Sequence, residues 1–277
     1  MSKILLTLLF LPLFAFAGAN TVVYNVTNDT VIRGALDNEQ VSIASISKLM
    51  TVYTVLNANQ DLNENLQVVS PKTSNTKLVK GMTLTRLELI RLSLISSDNL
   101  AAITLSENYP GGKDMFIQKM NENASLLKMH DTRFVEPTGL SPLNASSVRD
   151  IVTLTKTVSQ YDIVKTAAMT PVEYVLATTY RPAYKKKGKK VKHIKQPRPR
   201  NSENAPVTAK IHTHPTSTFF GHEGIFTIKT GFTNAAGFCI TMLVVANEQV
   251  YNITVLGART KKERQRYVEK SLKIINA

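Results

Sequence analysis

Ser45 and Lys48, in the stretch SIASISKLMT, stand three positions apart where a helix reads as beginning. On a helix, residues three apart share a face, so the lysine amine can take the serine proton, provided that the amine is neutral. A free lysine titrates near ~10.4, and burial or a neighbouring cation lowers that value. Lys229, in IKTG, is the candidate second cation. It would depress the base and also bind an anionic group of a substrate. Gly231, after Thr230, would leave a strand edge bare for a substrate backbone. Ser97 and Asn99 offer a hydroxyl and an amide where another helix starts. A plain N-cap is the bland alternative there. The helix start at Ser45 supplies unpaired N–H groups and a positive dipole end, both favourable to an oxyanion. This is the equipment of nucleophilic acyl transfer.

Each motif is weak alone. S-x-x-K recurs at Ser74/Lys77, in a polar loop, and at Ser125/Lys128, inside or at the end of a helix. Both read as bland, and chance alone supplies roughly one or two such matches in this composition. S-x-N recurs at Ser106/Asn108 and Ser202/Asn204, whereas K-T-G occurs once. Order and setting therefore have to decide.

The positioning elements follow from pattern. TVVYNVTND and TVIRGALD read as strands around a turn at Asn28-Asp29, and LQVVS as a short strand-like piece. Helical signals then dominate to about residue 180, with a capping box at Thr85–Glu88. FVEPTGLSPL is a loop by its prolines and glycine. GIFTIKTG, GFCITMLVVA and VYNITVLGA read as strands, the last two a hairpin across Asn247-Glu248-Gln249. A second capping box, Thr260–Glu263, opens a final helix with Val268, Leu272 and Ile275 on one face. The expectation is an α/β fold. One antiparallel sheet, built from both ends of the chain and flanked by helices, faces an all-helical lobe over about residues 60–180, with a cleft between.

Residues 1–19 are expected to be a secretory signal peptide: Lys3, a 14-residue apolar run, then Ala15-Phe16-Ala17 or Ala17-Gly18-Ala19. The run is short for a spanning helix, and export of a domain over residues 20–277 is the expectation. The net charge of +14 is a local feature: Arg181–Arg200 holds ten Lys or Arg and no acid, leaving +4 elsewhere. That block reads as a basic insertion, either a solvated loop or a contact with anionic wall polymer or a membrane surface. With little aromatic interleaving it does not read bases, so no specific nucleic acid is expected. The lone Cys239 offers no disulfide framework. His212, His214 and His222 have no second cluster of ligands beside them and read as ordinary strand histidines, so neither metal nor cofactor is expected.

The set S-x-x-K, S-D-N and K-T-G, in that order, is the one found in penicillin-binding proteins and class A β-lactamases. ASISKLMT, SSDNLAAITLSE, MNENASLLKM, TRFVEPTGLS and IKTGFTNAAGFC resemble stretches of the D-alanyl-D-alanine carboxypeptidase and endopeptidase family, the low-molecular-mass penicillin-binding proteins. The resemblance spans about residues 20–180 and 205–275. It implies a β-lactamase/transpeptidase-like fold and an acyl-enzyme mechanism on peptidoglycan stem peptides. Ser45 would attack the penultimate D-Ala carbonyl and Lys48 take its proton. Ser97, held by Lys48 and Lys229, would relay a proton to the leaving amine. Asn99 would hold the substrate amide, Lys229 and Thr230 the terminal carboxylate. The N–H groups of Ser45 and Phe232, beyond Gly231, would form the oxyanion hole. β-Lactams would trap Ser45.

The carboxypeptidase is the first expectation. EPTGLS, and the absence of an extra β domain or anchor after the last helix, lean toward a D-alanyl-meso-diaminopimelate endopeptidase. A class A-like β-lactamase would need a glutamate-held water, for which Glu136 is the candidate; it is read as structural instead. A non-catalytic wall-binding module using the basic insertion is the rival outside enzymology.

Overall fold

The computed structural model describes residues 19–170, 173–180, 206–213 and 215–277. The signal peptide, the basic insertion, Ser202/Asn204 and His214 lie outside the described residues, apart from Ala19. In chain order the elements are β1 (Asn20–Asn25), β2 (Thr30–Gly34), β3 (Val41–Ser42), a 3₁₀ turn (Ala44–Ser47) and α1 (Lys48–Asn57). The lobe follows: β4 (Asn65–Gln67), β5 (Thr83–Thr85), α2 (Arg86–Ile95), α3 (Asn99–Glu107) and α4 (Gly112–Leu126). Then come β6 (Ala145–Ser146), α5 (Val148–Val158), α6 (Asp162–Met169), β7 (Glu173–Tyr180) and β8 (Pro206–Thr213). The chain closes with β9 (Ile225–Thr233), β10 (Gly237–Ala246), β11 (Gln249–Ala258) and α7 (Lys261–Ile275).

The main sheet runs β2-β1-β11-β10-β9, antiparallel throughout, so the first and last strands meet at its centre. Period-two alternation splits its side chains between two cores. Val23, Ile228, Ile240, Met242 and Ile253 pack with Val268 and Ile275 of α7. Val22, Tyr24 and Cys239 join the core shared with α1 to α5. Because Ile228 faces α7, Lys229 faces the lobe, beside its register partner Thr241, whose hydroxyl meets Thr155 of α5 at 2.9 Å. The β10–β11 turn is the residue pair Asn247-Glu248, both with positive φ, the signature of a type I′ hairpin.

The fold class is the expected one, with an addition. The lobe carries a second sheet, β4-β5-β7-β8, and helix gives way to strand from residue 173, before the expected limit near 180. β5 and β7 meet at Thr83↔Thr178, a pairing that no local pattern announces. The Thr85 capping box is present, its hydroxyl accepting from Glu88 N and Glu88 accepting from Thr85 N. At α7, Thr260 accepts from Glu263 N, but the Glu263 carboxylate reaches one residue further back, to Arg259 N.

Candidate active site

Ser45 sits on the second residue of the 3₁₀ turn, and α1 proper begins at Lys48. Ala44 adopts φ 47°, a left-handed conformation that is costly for a side-chain-bearing residue and gathers at functional sites. Two glycines hold this turn from either side. A Cβ on Gly139, itself at φ 82°, would stand 1.9 Å from Ala44 O and 2.8 Å from Ser45 N. A Cβ on Gly231, in β9, would stand 2.9 Å from both Ile43 O and Ser45 N. The bare face of Gly231 is therefore already pressed against the turn that carries Ser45. Ser47 Oγ donates to Ala44 O at 2.8 Å, and Thr51 Oγ1 to Pro137 O at 2.6 Å.

Lys48 is wholly buried. Its Nζ is 2.7 Å from Asn99 Oδ1, 2.7 Å from the Thr138 carbonyl and 3.0 Å from Ser45 Oγ. The first two partners can only accept. They fix two N–H bonds, and a neutral amine then turns its lone pair toward the serine hydroxyl. Burial pulls the Lys48 pKa down to about 7, against the opposing charges of Glu136 and Asp98. Lys229 is equally buried and donates to Ser97 Oγ and to the Thr230 carbonyl, each at 2.8 Å. Burial first, then the charges of Lys48 and Arg264, hold it well below the usual lysine range.

Ser97 is a second non-glycine residue at positive φ, 57°. Its hydroxyl meets Lys229, while the Lys48 amine is occupied by Ser45, Asn99 and Thr138. Asp98 is the N-cap of α3, accepting from Ala101 N, and it also takes the Thr76 hydroxyl and Lys77 N. Burial raises its pKa, with these hydrogen bonds and Lys48 pulling the other way. Asn99 uses both ends of its amide: Oδ1 on Lys48, Nδ2 on Ser74 O at 2.9 Å. To grip a substrate amide it would have to exchange the Ser74 bond.

A cleft of about 360 Å³ opens over these groups, lined by Ser45, Ser97, Asn99, Thr230, Gly231 and Phe232. Lys48 and Lys229 lie buried behind it. Phe232 is 52% exposed and stacks on Phe238 with centroids 4.2 Å apart. Sequence reasoning missed Ser74 and Asn75, which the Asp98 bonds to Thr76 and Lys77 draw onto the cleft wall. It also missed Thr216, whose hydroxyl is 2.5 Å from that of Thr230, and Lys261 and Arg264 on α7. Arg264 is buried and donates to the Cys239 carbonyl at 3.3 Å, while its Nε has no partner among the described residues. A charged residue at an otherwise apolar helix position was the available signal. Ser125 is exposed at the end of α4. His212 lies in β8 and exposed His222 packs on Phe219; among the described residues no cluster of three or more His, Cys, Asp or Glu could hold a metal.

Glu136 is engaged by its own loop. One oxygen accepts from Thr138 N at 2.7 Å and Thr138 Oγ1 at 2.6 Å. The other accepts from Gly139 N at 2.6 Å, Asn144 Nδ2 at 3.1 Å and Ser141 N at 3.3 Å. Such a carboxylate has little left with which to hold a hydrolytic water.

Residues 15–197 match the family model described as D-alanyl-D-alanine carboxypeptidase. The chain is 36% identical over 221 residues to the D-alanyl-D-alanine endopeptidase of Escherichia coli (strain K12), covering 78% of this chain and 63% of that one. It is 25% identical over 244 residues to a D-alanyl-D-alanine carboxypeptidase of Bacillus subtilis (strain 168), covering 85% and 56%. It thus spans less than two thirds of these relatives. In fold it is similar to penicillin-binding protein D2 of Listeria monocytogenes, solved in an ampicillin-bound form: TM-score 0.73, 24% identity, 96% of this chain and 99% of that one.

Proposed function

The chain belongs to the D-alanyl-D-alanine carboxypeptidase family, and from that premise we propose that it is a serine D,D-peptidase cutting peptidoglycan stem peptides through an acyl-enzyme on Ser45. One observation carries the reading: a buried Lys48 amine with pKa about 7, oriented by two carbonyl acceptors, 3.0 Å from Ser45 Oγ. A general base works best with its pKa near the operating pH. Ser45 Oγ attacks the penultimate D-Ala carbonyl while its proton passes to Lys48. The N–H groups of Ser45 and Phe232 take the oxyanion. The C–N bond then breaks as Ser97, backed by Lys229, delivers a proton to the departing amine. Lys229 and Thr230 hold the carboxylate next to that amine, with Arg264 adding positive charge. Water cleaves the ester and frees Ser45.

Carboxypeptidase and endopeptidase share this chemistry and differ in what lies beyond the leaving nitrogen. The relatives with more than a third of positions identical carry the endopeptidase name, those near a quarter the carboxypeptidase name. That favours cutting D-alanyl-meso-diaminopimelate cross-links. The engaged Glu136 disfavours a β-lactamase, and the complete set of reactive groups disfavours a purely adhesive module. Fluorescent penicillin should label the wild-type chain, and purified cross-linked muropeptides should fall to monomers. Absence of labelling would sink the acyl-enzyme; loss of only a terminal D-Ala would return the carboxypeptidase. Nitrocefin should turn over slowly.

A peptidoglycan substrate requires export, so residues 1–19 are proposed to be cleaved on the way; the N-terminal sequence of the secreted protein checks this. Arg181–Arg200 is proposed to touch anionic wall polymer or lipid head groups rather than nucleic acid. Salt-sensitive retention on isolated cell walls, lost when its lysines become glutamine, is the expected behaviour.

The glycine clamp gives a graded prediction. Gly139→Ala combines a left-handed backbone with contact against carbonyl carbon and oxygen. It should cost about 3 kcal/mol or more of stability and slow acylation at least about 100-fold. Gly231→Ala meets the turn at 2.9–3.0 Å without a φ penalty. Its melting temperature should fall far less, while acylation slows because Ser45 N is displaced. Thermal melts and penicillin acylation rates check both; wild-type rates for Gly231→Ala would show that the turn yields.

A further inference from the structure

We infer that Glu136 is a positioning residue for the Ser45–Lys48 pair: its carboxylate braces the turn that grips both residues, and its negative charge faces the base. The inference rests on the acyl-enzyme reading above. The loop Val135–Asn144 touches the catalytic pair and the residues leading into it in three places. The Thr138 carbonyl takes one N–H of Lys48 at 2.7 Å. Gly139 lies against the Ala44 carbonyl and Ser45 N. The Asn144 carbonyl accepts from Ile43 N, just before the nucleophile turn, at 3.2 Å.

What fixes this loop is one side chain. The Glu136 carboxylate gathers the N–H groups of Thr138, Gly139 and Ser141, the Thr138 hydroxyl and the Asn144 amide. Asn144, fully buried, closes the ring by donating to the Glu136 carbonyl and accepting from Val135 N and Glu136 N. A carboxylate can serve that many donors because it carries about four lone-pair sites and only accepts. The amide of a glutamine would set N–H groups against the N–H and hydroxyl that one oxygen now receives.

The charge has its own consequence. Among the described residues, the ionisable groups acting on Lys48 are Glu136 from this loop and Asp98 at the start of α3, while Lys229 of β9 feels the Lys48 charge in turn. Glu136 and Asp98 favour the ammonium, whereas burial favours the free amine. Removing the Glu136 charge lowers the Lys48 pKa further, so the acid limb of acylation moves to lower pH. A bystander loop residue would not move that limb.

The experiment follows acylation by fluorescent penicillin from pH 5 to 9 in the wild type, Glu136→Gln and Glu136→Asp, with circular dichroism melts on each. Glu136→Gln should acylate about 10- to 100-fold more slowly at its plateau, with its limb below that of the wild type. Glu136→Asp, which keeps the charge but shortens the brace, should be slowed with its limb unmoved. A folded Glu136→Gln with the wild-type limb overturns the inference, whatever its rate. If Glu136→Gln does not fold, Glu136→Asp decides, and wild-type rates there overturn it. Failure of the wild type to label would instead strike the acyl-enzyme reading.

Discussion

Ser45→Ala is expected to abolish covalent capture of penicillin and to lower kcat/KM on cross-linked muropeptides by at least ~10⁴-fold. Among the described residues, the Ser45 hydroxyl is the only one bonded to the poised Lys48 amine, 3.0 Å away; the amine's other partners are an amide oxygen and a backbone carbonyl. Ser97 cannot substitute for it: its hydroxyl bonds Lys229, and the Lys48 N–H bonds go elsewhere. The proposed oxyanion donors and carboxylate site remain, so a residual acceleration over water should persist, as in serine hydrolases stripped of their nucleophile. Stability should change by about 1 kcal/mol or less, since one hydrogen bond to a half-exposed serine is lost. The other two S-x-x-K serines make the contrast. Ser125→Ala, on an exposed helix end, should behave as wild type. Ser74→Ala, which loses a 3.3 Å contact with Asn99, should weaken turnover only modestly. Full labelling of Ser45→Ala would place the nucleophile elsewhere.

That contrast also marks how far the residues spoke for themselves. Ser45/Lys48 was legible because its geometry is local: two side chains one turn apart at the start of an element. The terminal sheet was legible too, since Val23, Ile240 and Ile253 obey period two and Asn247-Glu248 makes a tight turn. What escaped was non-local. Ser74 looked unsupported because its supports, Asp98 and Asn99, arrive from another segment. Gly231 suggested room for a substrate, yet its bare face is set by contact with Ser45 N, a neighbour 186 positions earlier. β7 falls within the stretch expected to be helical, because its partners, β5 and β8, are supplied only by the closed fold. Arg264 carries no motif; helix α7 brings it to the cleft.

Lys48→Met should slow acylation by about 10³- to 10⁴-fold at neutral pH and erase the acid limb expected of the wild type near pH 7. The sign follows from the base. Below about 7 the buried amine is protonated and cannot accept the Ser45 proton, so the wild-type rate should fall about tenfold per pH unit. Methionine has no proton to gain, and its residual rate should be flat through that window. The fold should survive the change. The folded-state pKa lies below the ordinary lysine value of 10.5, a difference that costs the native state about 5 kcal/mol at pH 7 and below. Methionine removes that cost but strands Asn99 Oδ1 and the Thr138 carbonyl, at about 1–3 kcal/mol each. The two effects nearly offset at pH 7, so the melts should agree within a few degrees. As pH rises toward 10.5 the unfolded chain also loses its lysine proton, and the wild type regains the stability forgone. The wild type should therefore pull ahead of Lys48→Met between pH 7 and 10. A melting difference that stays level across that window, or a variant that labels at the wild-type rate, would assign the base to another residue.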